Sequence, residues 1–393
     1  MYNAVNEVLE YVRENDVKFI RLAFSDLFGT LKNISIMPSE LERAFEQGIS
    51  FDASAIQGFN DVVQSDLLLY PIPSTLMLLP WRPQQGRVIR LLCDILNPDG
   101  TPFTGDGRNY LRKAVERCSQ MGYSCQIGTE CEFYLFRTDE NGFPTQATHD
   151  NGGYFDIAPV DKGENIRREI CLVMEEIGIQ PETSHHEQGP GQNEIDFKYS
   201  DPITAADNFL IFKSVVKAIA ARNGLFASFM PKPIASKSGS GLHVNLSLLM
   251  NNRNIFEMAN PVQKKTAECF IAGILNRIIE ITAFLNPLTN SYDRLGCFEA
   301  PKYVSWSHQN RSQLIRIPSA TGEFSRMELR SPDPALNPYL AFALILNAGL
   351  DGIAQNQPLP EPLNVNLYTA DKDVLNTVPK LPDSLGEAVE IAR

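Results

Sequence analysis

Five glutamates, one histidine and several arginines occupy short segments whose spacing can gather them. In Gly128-Thr129-Glu130-Cys131-Glu132-Phe133-Tyr134-Leu135 the β-branched and aromatic content predicts a strand. Side chains two apart in a strand project to one side. Glu130 and Glu132 are therefore neighbours, and like charges so close repel unless something neutralises them. In the segment SHHEQGPGQNEIDF, Gly189, Pro190 and Gly191 force a tight loop, and Glu187 and Glu194 converge from its two sides. The adjacent His185 and His186 point opposite ways on a strand and lack the usual spacing of zinc ligands, so both read as structural. In GSGLHVNLS, the residues His243, Asn245 and Ser247 form a polar face opposite Leu242, Val244 and Leu246. Arg326, Glu328 and Arg330 share a face of a fourth segment, either as a solvated ion-pair ladder or as part of a site.

Together, Glu130, Glu132, Glu187, Glu194 and Glu328 carry charge that two divalent cations would nearly cancel, whereas unpaired buried charges are costly. Oxygen-rich ligation with one imidazole suits Mg²⁺ or Mn²⁺ better than zinc. A pair of such ions is common equipment for phosphoryl transfer. Arg311 and Arg316 sit in the run NRSQLIRIP, and their spacing requires a bend if both are to reach one site. Arg294 follows the turn-rich Asn290-Ser291-Tyr292-Asp293. A guanidinium fork matches phosphate and carboxylate oxygens; surface ion pairing is the alternative for any one arginine. Neither a Walker-A lysine motif nor a Rossmann glycine fingerprint is present.

These segments need a scaffold, and the hydrophobic periodicity supplies one. Val5, Val8, Leu9 and Val12 predict an opening amphipathic helix. Lys18 to Ile36 reads as two strands around a turn at Asp26-Leu27-Phe28-Gly29, Ser50 to Asp66 as a polar loop, and Arg87 to Ile95 as a strand. The turn signals from Asn97 to Gly107 mark a boundary, giving a small domain over 1–100 and a larger one over 101–393. Beyond it, helical patterns at Leu111–Cys118, Ile166–Ile177 and Phe209–Ile219 alternate with short strands, which predicts an α+β fold with a largely antiparallel sheet. The uncharged run Pro334 to Leu350 is too short for a membrane span and reads as a buried helix. A net charge of −12 without a basic block disfavours nucleic acid and anionic membrane as partners. Seven scattered cysteines and no signal peptide predict a cytoplasmic protein with reduced thiols.

The stretches FDASAIQGF, GTECEFYLF, HHEQGPGQNEIDF, FMPKPIASKSGSGLHVNLS, NSYDRLGCFEAP, NRSQLIRIP and MELRSPDPALNPYLAF, in that order, resemble the type I glutamine synthetase family. The resemblance runs from the N-terminal helix to about Tyr368. It implies a small β-grasp-like domain and a catalytic domain with a curved antiparallel sheet flanked by helices. It further implies ATP-dependent ligation of ammonium to glutamate through γ-glutamyl phosphate, with two or more Mg²⁺ or Mn²⁺ ions. By this resemblance Glu132, Glu187 and Glu194 hold one metal, and Glu130, His243 and Glu328 the metal bridging the ATP phosphates. Arg294 grips the glutamate carboxylate beside Ser238 and Gly239, and Arg311 and Arg330 stabilise the transferring phosphoryl group. Arg316 and Arg326 line the nucleotide side, with Tyr199 and Ser247 against the adenosine. Asp52, with Asp66 behind it, enters a neighbouring subunit's site in a hexameric ring stacked as a dodecamer. Glu299 belongs to a flap over the intermediate.

The chain departs from the family pattern in places. Asp52-Ala53-Ser54-Ala55 replaces Asp-Gly-Ser-Ser, Ser238 replaces an asparagine, and the loop from Arg294 to Glu299 is one residue shorter. Asn366-Leu367-Tyr368 resembles an adenylylation site whose flanking context is lost, so that modification is not expected. The chain stops at Arg393, before the family's C-terminal helical tail. Ala53, Ala55 and Ser238 keep a γ-glutamyl-amine ligase in view, while Asp52 and Glu299 favour ammonia. A non-catalytic sensor would have no use for the full set of ligands and arginines.

Overall fold

The computed structural model describes residues 2–82 and 85–393, which form two compact units. The first runs to Tyr110 and includes Val173–Gly178. Helix α1 (Tyr2–Glu14) leads into the hairpin β1 (Val17–Ser25) and β2 (Leu31–Ile36). Asp26 fixes the hairpin turn by accepting from the Phe28 and Thr30 amides. Then come α2 (Leu41–Gln47), β3 (Ile49–Asp52), β4 (Asp66–Pro71), β5 (Met77–Leu78) and β6 (Arg87–Leu96). The strand order is β2-β1-β6-β4-β3, with β5 also on β6, and β1 runs parallel to β6. The long apolar run of β6 fits a strand paired on both sides and largely buried. This is the β-grasp-like arrangement expected. One detail differs: the ends of the expected loop at Ser50 to Asp66 are β3 and the start of β4. Phe51 and Leu67 are buried there, an alternation too short to stand out beside the polar residues between.

The second unit carries a curved ten-stranded sheet. Its strands are β7 (Tyr123–Thr138), β8 (Pro144–Thr148), β9 (Pro181–His186), β10 (Gln192–Ser200), β11 (Leu225–Ser228), β12 (Leu242–Met250), β13 (Arg253–Asn254), β14 (Trp306–His308), β15 (Ile315–Ile317) and β16 (Met327–Leu329). The main path is β14-β15-β16-β12-β7-β10-β9, and among the described residues every pairing but β14 with β15 is antiparallel. On β7, Cys125, Ile127, Thr129, Cys131 and Phe133 are buried, while Gln126, Gly128, Glu130 and Glu132 alternate to the partly open face.

The helices are α3 (Gly107–Gln120), α4 (Glu164–Glu176), α5 (Pro202–Arg222), α6 (Pro261–Leu285), α7 (Ser291–Arg294), α8 (Pro338–Ala354), α9 (Lys372–Leu375) and α10 (Leu385–Ala392). Three of them begin alike: Asp201, Asn260 and Asn337 accept amide hydrogens of the first turn, each followed by proline. Such a cap contributes about 1 kcal/mol, and proline's fixed φ suits that position. Helix α5 packs on β7 and β11, and α8 packs on α6. A Cβ at Gly352 would stand 2.1 Å from the Cys269 carbonyl oxygen, so this helix pair needs glycine to approach so closely. From Asn337, its N-cap, the run to Leu350 lies in the buried α8, and no helix among the described residues is long and apolar enough to cross a membrane.

Candidate active site

Strand register assembles the polar face. Glu194 on β10 stands opposite Glu132 on β7 and His185 on β9. One step along, Asp196 faces Glu130 and Thr183, and Glu130 faces His243 on β12. Glu328 on β16 faces Asn245 and Arg316. Directly opposed side chains lie within reach of each other, so three cross-strand rows bring together acids from distant parts of the chain. A cavity of about 520 Å³ opens over them.

Its lining includes Glu130, Glu132, Glu187, Glu194 and His243 with Ser238, Gly239, Arg294, Glu299, Arg311, Arg316, Arg326 and Arg330. Glu328 lies deeper. It is fully buried, accepting from Arg330 Nη1 at 2.5 Å and from Arg316 Nε at 2.6 Å. Arg311 precedes β15 in a turn held by Asn310, and that break brings Arg311 and Arg316 to one cavity despite their spacing. Arg294 ends the short α7, buried, and donates to the Ser331 and Arg330 carbonyls. A Cβ at Gly241 would come within 2.6 Å of Arg294 Nη2, so the glycine there lets the guanidinium in. Tyr199 and Ser247 line an adjoining cavity of about 230 Å³, which shares Glu130, Thr183, Asp196 and Arg326 with the first. Asp52 and Asp66 do not line these cavities. They are register partners in the first unit, and Asp52 is held below the usual carboxylate range by the Ser54 hydroxyl and amide.

The acids divide into two kinds. Burial works to raise Glu130, but His243, at 3.1 Å, and Asn245 hold it down to about 2. Burial, then repulsion from Glu132, pushes Glu187 up to about 8. Burial, then Asp196 and Glu132, raises Glu194 well above its ordinary value. Burial, then Glu130, takes Asp196 to about 7. Carboxylates crowded into proton uptake near neutral pH suit a divalent cation, which would replace those protons. Two groups around the cavity bring ligand atoms within 4.8 Å of one another: Glu130, His243 and Glu328, and His185, Glu194 and Asp196. Glu132 is engaged by Gln192 and the Gly241 amide, and Glu187 lies 3.6 Å from His185.

The two adjacent histidines part company. His186 is wholly buried, bonded to Asp150 at 2.9 Å and to the Glu187 carbonyl, with Asp161, paired to Arg167, close by. His185 lines the cavity between Glu187 and Glu194, and burial lowers its pKa, favouring the neutral, ligand-competent ring. The sequence reading placed both histidines in the scaffold; the structure puts His185 on the cavity wall. Asp196 and Thr183 were also missed; an Asp two positions after Glu194 on a strand was the available signal. The arginine cluster fits an anion: Arg330 Nε is buried with no partner among the described residues.

Residues 16–98 match the glutamine synthetase β-grasp domain, and residues 104–392 the glutamine synthetase catalytic domain. The glutamine synthetase of Clostridium saccharobutylicum is 50% identical over 388 residues, covering 98% of this chain and 88% of that protein. That of Methanosarcina mazei is 49% identical over 389 residues, covering 98% and 87%. Among solved structures, an ADP complex of GmaS has a TM-score of 0.88 at 31% identity, covering 98% of this chain and 89% of that one. The Plasmodium falciparum glutamine synthetase, solved by cryo-EM, has a TM-score of 0.86 at 28% identity, covering 99% and 90%. With both parts matched in order, and relatives about half identical along nearly its whole length, the chain belongs to the glutamine synthetase family.

Proposed function

We propose that the chain ligates ammonia to L-glutamate at the cost of ATP, giving L-glutamine, ADP and phosphate. The observation that carries this is the pair of adjoining cavities sharing Glu130, Asp196 and Arg326, one edged by Tyr199 and Ser247 and the other by Arg294 and Glu299. Nucleotide and glutamate would meet where the acids and arginines are densest. Glutamine synthetases at 45–50% identity favour ammonia over a larger amine.

In this reading Arg294 grips the glutamate α-carboxylate beside Ser238 and Gly239. The γ-carboxylate oxygen attacks the γ-phosphorus of ATP, and the bond to ADP breaks. Arg311 and Arg330 stabilise charge on the transferring phosphoryl group, Arg316 and Arg326 attend the nucleotide phosphates, and Tyr199 and Ser247 border the adenosine. Glu130, His243 and Glu328 would hold one Mg²⁺ or Mn²⁺, and Glu132, Glu187 and Glu194 another, with His185 and Asp196 close by. Such ions supply Lewis-acid polarisation of the phosphoryl oxygens. Asp52, ionised and supported by Asp66, takes the proton from ammonium in a neighbouring subunit's site. Ammonia nitrogen then bonds to the acyl carbon, phosphate leaves, and Glu299 shields the acyl phosphate from water.

This role for Asp52 calls for a homo-oligomer, a hexameric ring stacked as a dodecamer. Free cysteines throughout fit a reducing cytoplasm. The test follows glutamate and ATP with ammonium or an amine panel. Ammonium should dominate, and Asp52→Ala should retain glutamyl phosphate formation while losing most amide synthesis. An alkyl amine outcompeting ammonium, or an active monomer on sedimentation, would overturn the corresponding part.

A further inference from the structure

Gln188 is absent from the reaction scheme, yet its amide joins two loops that the scheme uses. Its Nε2 donates to Glu299 Oε1 at 2.8 Å, and its Oε1 accepts from Ser238 Oγ at 3.1 Å. Its backbone amide donates to Glu187 Oε2 at 3.0 Å. All of these residues line the larger cavity.

The two ends of this link are held differently. On the Ser238 side, the Tyr134 hydroxyl donates to the Ser238 carbonyl at 2.6 Å, and Gln192 Nε2 donates to the Gly239 carbonyl at 3.0 Å. Gln192 also accepts from the Gly189 amide, so one buried side chain braces both the Gln188 loop and the Ser238 turn. On the other side, Glu299 sits on an exposed turn closed by backbone bonds between Gly296 and Ala300 and between Ala300 and Cys297. Beyond that turn, Lys232 stands 4.4 Å from the Phe298 ring centroid. The braced loops thus present an amide donor to a carboxylate on a less anchored segment.

We infer that Gln188 is a positioning residue for Glu299, holding the flap carboxylate over the cavity through the relay Ser238–Gln188–Glu299. One Glu299 oxygen is occupied by the amide, and the other is left for an incoming ammonium ion. Gln188 is also the amide that a neighbouring Ser238 hydroxyl can orient, since the hydroxyl's donation to Oε1 turns Nε2 toward Glu299. This inference rests on the proposed flap role of Glu299.

The test compares phosphate released with glutamine formed, using the full-length protein with glutamate, ATP and ammonium. The unaltered enzyme should give a ratio near one. Gln188→Met, close in size but without donors, should raise phosphate per glutamine about threefold or more and raise the KM for ammonium more than that for ATP. Ser238→Ala should shift the ratio the same way by less. In a Glu299→Ala background, Gln188→Met should add nothing, because its target is gone. A ratio near one in Gln188→Met, or a full additional effect on top of Glu299→Ala, would overturn the inference alone. Failure of the unaltered protein to make glutamine from ammonium would overturn the functional reading and this inference with it.

Discussion

Glu328 and Glu187 stand at two ends of one candidate site, in opposite electrostatic company. Glu328 is wholly buried between Arg316 and Arg330, and its neighbour Glu130 is held down to about 2 by His243 and Asn245. Burial, then repulsion from Glu132 and Glu299, takes Glu187 up to about 8, and among the described residues no arginine is bonded to it. The arginine-flanked end is neutralised by the chain itself. The end around Glu187, where the imidazole of His185 is the neighbouring base, is left with a deficit that a cation can fill. Stability and function therefore align at the first end and oppose each other at the second.

Substitution at the arginine-flanked end should have the largest effect. Glu328→Ala leaves Arg330, buried and bonded to it at 2.5 Å, without its counter-charge. Breaking such a pair costs about 3–5 kcal/mol, measurable by urea denaturation of the metal-free protein, and ATP turnover should be lost as well. Glu130→Ala and His243→Ala should also lose turnover; full turnover with unchanged Mg²⁺ dependence in either would remove them from the metal set. Glu187→Gln makes the contrast sharp. It should cut glutamine synthesis at least ~10²-fold, yet stabilise the metal-free protein at pH 8 by roughly 1 kcal/mol, because a repelling charge is removed. A clear loss of stability there would break the comparison.

The pH dependence should be smaller and opposite at the two ends. Glu187 and Asp196 have folded pKa values raised to about 8 and about 7. Their contribution is fully present below the unfolded carboxylate pKa and is lost as pH rises through the folded values, so the metal-free Tm should fall between about pH 5 and 8.5. Glu130, depressed to about 2, contributes above its unfolded pKa and loses that only in strong acid. Saturating Mg²⁺ should flatten the fall, and a slope unchanged by Mg²⁺ would contradict the assignment. The mildest change is Arg316→Lys, which keeps charge but loses the fork that bonds Glu328 through two nitrogens. It should raise the KM for ATP about tenfold with little change in Tm.

The difference between the two ends was only half legible in the sequence. Alternation on single strands found Glu130 with Glu132 and the polar face of His243, because a period of two is a local property. Which strands pair is not local. The register that sets Asp196 against Glu130, and His185 against Glu194, joins β9, β10 and β7, and no spacing within one segment reveals it. The sequence reading set His185 and His186 pointing opposite ways, and they do; it could not tell that one side is core and the other a cavity wall. Arg316 and Arg330 were read as anion binders, with an ion-pair ladder left open for Arg330; their closing on Glu328 depends on β15 and β16 being adjacent. The strands β3 and β4 were hidden because they show only two and three buried residues beside a long polar loop.

Calorimetric titration of the metal-free protein with Mg²⁺ at pH 7, in two buffers of different ionisation enthalpy, tests the Glu187 end most directly. Protons resident on Glu187 and Asp196 must leave when the cation enters, so binding should release about one proton or more, and clearly fewer from Glu187→Gln. Mg²⁺ binding with no proton release, or with the same release from Glu187→Gln, would contradict the placing of a cation among these carboxylates.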